Sequence, residues 1–342
     1  MSSQEIGVAV VGLGRAGMIH AANFRRGVEG ARLEAVVDPS AEARKKGAES
    51  LGISKSYERL EQALEDRSIG ALVVVTPTNL HRDIVVAAST AGKHVLCEKP
   101  MAMNAAECAQ MIDAAERGGI KLQIGFMRRF DESFRQAKAA IDDGAIGEVV
   151  QIKGVTHGPS VPQRWMYDIR ASNGPLAEVS SHDIDTQRWL AGSEVSELYT
   201  VAGNFRCPQA KSEFPDFYDT FLMTMRFADG KQGLIDGAAS VFYGYDVRTE
   251  ILGTKGILFV GDLGGKPVLV CTADGKLSQQ ANPSWRTLFA QAYAEEDRSF
   301  IRSIATDTAP LVSGRDGLEA VRVVTAGNLS IRERRPVRLE EV

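Results

Sequence analysis

Long apolar runs are missing from this chain of 342 residues. None approaches the roughly 18 residues that a membrane-crossing helix needs, so no membrane partner is expected. Positive charge is not in surplus either: 40 Lys and Arg stand against 44 Asp and Glu, a net charge of −4. Without a basic excess to track phosphates, no nucleic-acid partner is expected. The start, Met1-Ser2-Ser3-Gln4-Glu5, lacks the basic, apolar and small-residue regions of a signal peptide, which predicts a cytoplasmic protein. Cysteine is scarce. Cys97, Cys108, Cys207 and Cys271 show no C-x-x-C spacing, so neither a disulfide framework nor a zinc ribbon is indicated, and buried or half-buried thiols in a reducing compartment are predicted. The 5 histidines (His20, His81, His94, His157, His182) form no H-x-x-H or H-E-x-x-H pattern. No metal is expected, and a metal-dependent hydrolase is set aside.

What is present is ordinary globular material, 44% hydrophobic and 25% charged, in a chain long enough for two domains. The first 125 residues alternate strand and helix. Ile6–Val11 is a short apolar run ending at glycine, the pattern of a parallel strand buried on both faces. A helix from Ala16 to about Arg26 follows, then a strand over Arg32–Asp38 and a helix capped by Ser40 and running to Leu51. Ala71–Val75, His94–Cys97 and Ile120–Ile124 read as further strands. Helices from about Leu80 to Ala91 and from Asn104, in a capping-box pattern with Glu107, to Arg117 separate them. Such alternation predicts a parallel sheet covered on both faces, a Rossmann-type α/β domain over residues 1–125.

Ligands of such sheets bind at the carboxyl ends of the strands. Gly12-Leu13-Gly14-Arg15-Ala16-Gly17 follows the first strand and opens a helix, giving G-x-G-x-x-G in its required setting. The first glycine permits a tight turn, the second lets the backbone approach a pyrophosphate on the helix N-terminus, and the third allows close helix–strand packing. Asp38 ends the second strand. Its carboxylate can accept hydrogen bonds from the adenosine ribose and repels a 2′-phosphate, and no basic residue stands at positions 39 to 41; the alternative is a turn aspartate beside Pro39. A dinucleotide cofactor is therefore predicted, NAD rather than NADP.

From about Glu148 the period changes to two. Phe217, Asp219, Phe221, Met223, Met225 and Phe227 alternate with Tyr218, Thr220, Leu222, Thr224 and Arg226, and Asp229-Gly230 marks a hairpin into a strand near Lys231–Ala238. Strands also read at Val247–Leu252, Ile257–Val260 and Pro267–Thr272, with helices near Leu288–Ala305 and Arg315–Ile331, the last able to return to the first domain. An α+β domain over 126–342 with an open-faced, mostly antiparallel sheet is predicted. One face is expected to pack on helices and the other, carrying Phe, Met and Val, to meet a partner sheet in a homo-oligomer.

Three polar clusters could carry chemistry. Thr76-Pro77-Thr78 and His81 follow a strand and could line the cofactor, although His81 also suits a helix start. Glu98-Lys99-Pro100 follows another strand, so Lys99 either points into the cleft at the strand's carboxyl end or is a surface lysine; in the cleft it can hydrogen-bond a substrate hydroxyl. Pro175 suits the first turn of a helix running to Leu190, on which Glu178 and His182, four apart, share a face. A carboxylate beside a histidine orients the ring and raises its basicity, which suits a base for an alcohol proton; the pair could equally be a solvated ion pair.

Together the glycine loop, Glu98-Lys99-Pro100 and the helix with His182-Asp183-Ile184-Asp185 and Arg188-Trp189-Leu190 resemble the glucose–fructose oxidoreductase/inositol dehydrogenase/MocA family over nearly the whole chain. The resemblance implies Lys99 and His182 as catalytic, His182 as base, and dimers or tetramers. Within the family the likeness is greatest to inositol 2-dehydrogenases. Gly125-Phe126-Met127-Arg128-Arg129-Phe130-Asp131 matches a segment whose methionine and arginine, here Met127 and Arg128, face the polyol. Tyr243-Gly244-Tyr245-Asp246 and Glu250–Gly256 match a later strand pair, with Tyr245 on the substrate side and His157 near another contacting position. For Arg128 a salt bridge, and for Tyr245 an ordinary sheet tyrosine, are the alternatives.

One departure bears on substrate. Inositol dehydrogenases carry aspartate four residues before the histidine, usually after Gly-Gly; here stand Glu178 and Pro175. Glutamate keeps the charge but reaches one methylene further. Trp165 and Tyr167 could add a stacking face for a sugar ring or anchor a packed loop. The implied reaction is NAD-dependent oxidation of a secondary alcohol on a cyclic polyol or sugar. The rivals are a dehydrogenase of a different sugar or glycoside, and a non-catalytic NAD-dependent regulator that has no need of Lys99, Glu178 and His182 together.

Overall fold

A computed structural model describes residues 5–262, 264–271 and 277–342, and the side chains among them except those of 264–271 and 277–279. The end of the strand expected at Pro267–Thr272, and the Cys271 side chain, lie outside what is described. Contacts divide the chain into two units: the chain through Phe130 together with Gln291–Leu318, and Asp131–Ala290 together with Glu319–Val342.

In the first unit, the apolar run Ile6–Val11 forms β1, with Val8, Ala9 and Val10 wholly buried, as a strand covered on both faces must be. Then follow α1 (Arg15–Gly27), β2 (Ala31–Val37), α2 (Ala41–Leu51), β3 (Ser56–Tyr57), α3 (Leu60–Glu65), β4 (Ala71–Val74), α4 (His81–Thr90), β5 (His94–Glu98), α5 (Ala105–Gly118) and β6 (Leu122–Gly125). Caps set the helix starts. Ser40 accepts from the Ala43 N–H, and Asn104 accepts from that of Glu107, whose carboxylate returns to the Met103 N–H. The strand order is β3-β2-β1-β4-β5-β6, every pair parallel. The order reverses between β1 and β4, which is where such sheets bind ligands.

In the second unit the elements are α6 (Glu132–Asp142), β7 (Val149–His157), α7 (Ile169–Ser172), α8 (Gly174–Glu178), α9 (Ser181–Ala191), β8 (Val195–Gly203), β9 (Thr220–Phe227), β10 (Gln232–Ala238), β11 (Asp246–Gly253), β12 (Ile257–Val260), β13 (Gly264–Cys271), β14 (Leu277–Ala281) and α10 (Trp285–Leu288). After these, α11 (Ala290–Ala305) runs mostly in the first unit, α12 (Gly314–Glu333) ends in the second, and β15 (Val337–Arg338) completes the second sheet. That sheet has the order β12-β11-β7-β10-β9-β8-β15 and is antiparallel except for the parallel pair β7–β10.

Two expectations are corrected. The face of β9 bearing Phe221, Met223, Met225 and Phe227 is buried, whereas Leu222, Thr224 and Arg226 point outward. The inner face is covered by α8 and α9, and Gly327 of α12 lies against Leu176 and Met223. The outward face carries Tyr199, Val201, Leu222, Leu252 and Phe259 exposed. Secondly, the helix expected from Pro175 to Leu190 is broken. Its first part, α8, ends at Glu178, and α9 starts at Ser181, so Glu178 and His182 do not share a helix face by periodicity. Among the described residues, no helix is long and apolar enough to cross a membrane.

Candidate active site

The glycine loop fits a dinucleotide. Gly12 has φ +96°, and a Cβ there would stand 2.6 Å from the Val75 carbonyl oxygen; one on Gly17 would meet the Gly12 carbonyl at 1.9 Å. Both are places where only glycine fits. A Cβ on Gly14 would meet nothing within 4 Å, and Gly14 leaves the α1 N-terminus without a side-chain cap. Exposed Gly14 and Arg15, with half-buried Leu13 and Ala16, therefore edge an open helix end whose N–H groups and dipole suit a pyrophosphate. Asp38 is half-buried and accepts from Leu13 N at 2.8 Å and Ser40 N at 2.9 Å. A carboxylate accepts about four hydrogen bonds, so capacity for a ribose remains. After β4, the Thr76 hydroxyl is buried and has no partner among the described residues, while Pro77 is exposed and Thr78 buried.

His81 is buried and held as an internal staple. Its Nε2 lies 2.9 Å from the Thr76 carbonyl oxygen, and its Nδ1 lies 3.0 and 3.3 Å from those of Pro100 and Met101. Burial lowers its pKa below the ordinary value, with the carbonyls offsetting part of the effect.

Glu98 closes β5 and Lys99 follows it, half-buried. The Glu98 carboxylate accepts the Lys99 backbone N–H at 3.0 Å and lies 3.2 Å from His20 Nε2, while His20 Nδ1 is 2.7 Å from Asp297. Burial opposes charge on His20, but Asp297 and Glu98 more than reverse it and hold its pKa well above the usual imidazole range. An imidazolium donates from both nitrogens, so the pairs form a hydrogen-bonded chain. Ligand-type atoms of His20, Glu98 and Glu296 come within 4.8 Å of one another, but both nitrogens of His20 face carboxylates already. Of these residues Glu98 was singled out in the sequence, and His20, Glu296 and Asp297 were not. The available signal was His20 and Asn23, three apart on α1, where apolar residues are otherwise buried. Met127 and Arg128 follow β6 in a short 3₁₀ turn and are each 1% exposed; both, like Lys99, belong to the first unit.

The second unit holds the remaining candidates. His182 is 5% exposed near the start of α9, a helix whose other residues are almost all buried on β7 and β10. Its neighbour Asp183 accepts from the Thr156 hydroxyl at 2.9 Å, and Gln187 donates to the Leu234 carbonyl at 2.8 Å. Half-buried Glu178 ends α8. That helix is fixed by Tyr218, whose hydroxyl accepts from Leu176 N at 3.3 Å and donates to Asn328 at 2.8 Å. His157 ends β7 with Nε2 2.9 Å from Asp236 and Nδ1 bonded to the Tyr243 hydroxyl, which donates to Asp246 at 3.1 Å. Tyr243, not Tyr245, thus reaches His157. Tyr245 is buried, with its N–H on the Asn282 carbonyl at 2.7 Å and its ring edge-on to Phe289. Trp165 is exposed, whereas Tyr167 packs inward on Phe217 as a loop anchor, which removes it as a stacking face.

The thiols of Cys97, Cys108 and Cys207 are buried and free, and burial raises each pKa, that of Cys108 to about 12. None is a poised nucleophile.

A family model described as "Oxidoreductase family, NAD-binding Rossmann fold" matches residues 6–126, and its C-terminal alpha/beta domain model matches 138–339. The chain belongs to the Gfo/Idh/MocA oxidoreductase family. Its first domain is accordingly an NAD-binding Rossmann domain, and the chain is an NAD-dependent oxidoreductase. Among its relatives, a myo-inositol 2-dehydrogenase of Thermotoga maritima is 33% identical, over 98% of this chain and 99% of that one. A scyllo-inositol 2-dehydrogenase (NAD(+)) of Bacillus subtilis is 34% identical, over 98% and 97%. The structure of scyllo-inositol dehydrogenase from Lactobacillus casei with bound NAD(H) and scyllo-inositol superposes with a TM-score of 0.90 at 26% identity, covering 98% of this chain and 99% of that one.

Proposed function

We propose that this oxidoreductase is inositol 2-dehydrogenase-like, oxidising a secondary alcohol of a cyclic polyol to the ketone. The observation that carries the reading is the full-length likeness to inositol dehydrogenases in a chain that has Lys99 and His182 in the expected order, with Glu178 as the nearby carboxylate. NAD, when bound, supplies the acceptor for the hydride that leaves the carbinol carbon. His182 takes the hydroxyl proton. Lys99 donates a hydrogen bond to that oxygen and stabilises the charge that develops on it. Glu178 grips a neighbouring hydroxyl or orients His182, while Met127, Arg128, His157, Trp165 and Tyr245 are proposed on the substrate side. Gly12 to Gly17, Asp38, Thr76-Pro77-Thr78 and the Glu98–Lys99 turn are proposed to line the cofactor.

Glu178 and Pro175 favour a second reading within the same chemistry, a different inositol isomer or a sugar, because the longer carboxylate reaches a different hydroxyl. The outward face of the second sheet is proposed as the contact in a cytoplasmic homo-oligomer, dimer or tetramer, and light scattering that reports a monomer overturns this. The function is tested by following NADH absorbance with a panel of inositols, aldoses and glycosides, using NAD and NADP side by side. A flat trace across the whole panel overturns it and favours a non-catalytic NAD-dependent regulator.

A further inference from the structure

The two buried histidines of the first unit converge on one short segment. Glu98 Oε2 accepts the Lys99 backbone N–H at 3.0 Å, and its other oxygen is 3.2 Å from His20, which is 2.7 Å from Asp297. Asn23 donates to the second oxygen of Asp297 at 2.8 Å. On the other side of Lys99, His81 lies 3.0 Å from the Pro100 carbonyl oxygen and 2.9 Å from that of Thr76. We infer that His20, Asp297, Glu98 and His81 are positioning residues that clamp the backbone on either side of Lys99 and so fix where its amine reaches. This rests on the reading that Lys99 acts on the substrate.

Three observations support the clamp. His20 and Asp297 are 0% exposed and Glu98 6%, yet removing charged groups from water costs several kcal/mol per ion, and apolar packing of the same volume stabilises a core as well or better. Placement of Lys99 is an effect that apolar packing would not give. His20 of α1 and His81 of α4, far apart in sequence, meet the four consecutive residues 98 to 101, and Asp297 of α11 backs His20 from behind. Finally, Gly125 leaves room for the carboxylate: a Cβ there would stand 2.9 Å from Glu98 Cδ. A lysine has a long flexible stem, so the site of its backbone governs where the amine can go, and a misplacement of about 1 Å can cost about 100-fold in rate.

The experiment uses paired variants of the full chain, Glu98→Ala with Glu98→Gln and His81→Leu with His81→Gln. Glutamine at 98 can still accept the Lys99 N–H while its amide donates to a neutral His20. For each variant, amide exchange of the 98–101 backbone, kcat with myo- and scyllo-inositol, NADH affinity and thermal midpoint are measured. The expected result is faster exchange at Lys99 in Glu98→Ala, with kcat about 10- to 100-fold lower in Glu98→Ala and His81→Leu. Both glutamine variants keep most of each property. Unaltered exchange in Glu98→Ala, or glutamine variants that fall as far as their partners, overturns the clamp. If one pair does not fold, the other decides by the same criteria. Normal turnover in Lys99→Ala instead overturns the catalytic reading of Lys99, whatever the exchange data show.

Discussion

Asp38 Oδ2 accepts the Leu13 backbone N–H at 2.8 Å, so the carboxylate that follows β2 also closes the glycine loop. Charge and loop closure can be separated by substitution. Asp38→Asn keeps an acceptor for Leu13 but loses the charge that repels a 2′-phosphate, while Asp38→Ala loses both. Arg44, which donates to the Asp38 carbonyl at 2.7 Å, is a cation close by. Asp38→Asn is expected to raise the NADP-to-NAD ratio of kcat/KM by about 10-fold or more, a change of about 1.4 kcal/mol. Asp38→Ala is expected to raise the KM for both nucleotides as well, since a hydrogen bond worth about 1 kcal/mol is gone. Steady-state kinetics with both nucleotides checks this, and an unchanged ratio in Asp38→Asn counts against Asp38 as the discriminating group.

His182→Ala and Lys99→Ala address the chemistry. Loss of a general base costs about 100- to 10,000-fold, and loss of one donor to a developing oxyanion about 3 kcal/mol, or roughly 100-fold. Both variants should still bind NADH, because the glycine loop and Asp38 are untouched. Fluorescence titration with NADH and single-turnover rates separate the two effects. Turnover near the parent rate in either variant removes that residue from the mechanism.

The histidines of the first unit give stability opposite slopes with pH. His20 has a folded pKa raised above its ordinary 6.5. Its contribution is fully present below about pH 6.5 and is lost as pH rises through the raised folded value. His81 has a folded pKa below 6.5. Its contribution is present above that pH and is lost as pH falls through the lowered value. Urea midpoints measured across pH should therefore lose part of the alkaline decline in His20→Gln and part of the acid decline in His81→Gln. Slopes identical to the parent's in both variants would refute the assignment.

How much of this was legible beforehand follows from the range of the interactions. The glycine loop, the Ser40 and Asn104 caps and the turn after β5 are local, and their residues stand within a few positions of one another. β3 is two residues long and leaves no periodic trace. The break between α8 and α9 was hidden because Leu176, Ala177 and Ile184 keep a helical spacing across Val179-Ser180. The alternation in β9 gave two faces correctly but could not say which one α8 and α9 cover. His20 and Asp297 are 277 positions apart, so nothing in either neighbourhood announces their pairing.

Packing of the second sheet supplies the remaining prediction. Gly237 pairs with Phe221 across β10 and β9, and a Cβ on Gly237 would stand 2.1 Å from the Phe221 ring. The ring is 1% exposed, and Tyr218 lies edge-on to it at 5.9 Å between centroids. Gly237→Ala should therefore force the ring against Tyr218, which positions α8. Overpacking of this kind costs about 1–3 kcal/mol. Phe221→Leu removes the clashing ring edge, so the double variant Gly237→Ala/Phe221→Leu should lose less than the sum of the two single changes. Urea denaturation of the four proteins measures the coupling. Strict additivity would mean that the sheet relaxes around the new methyl without involving Phe221 at all.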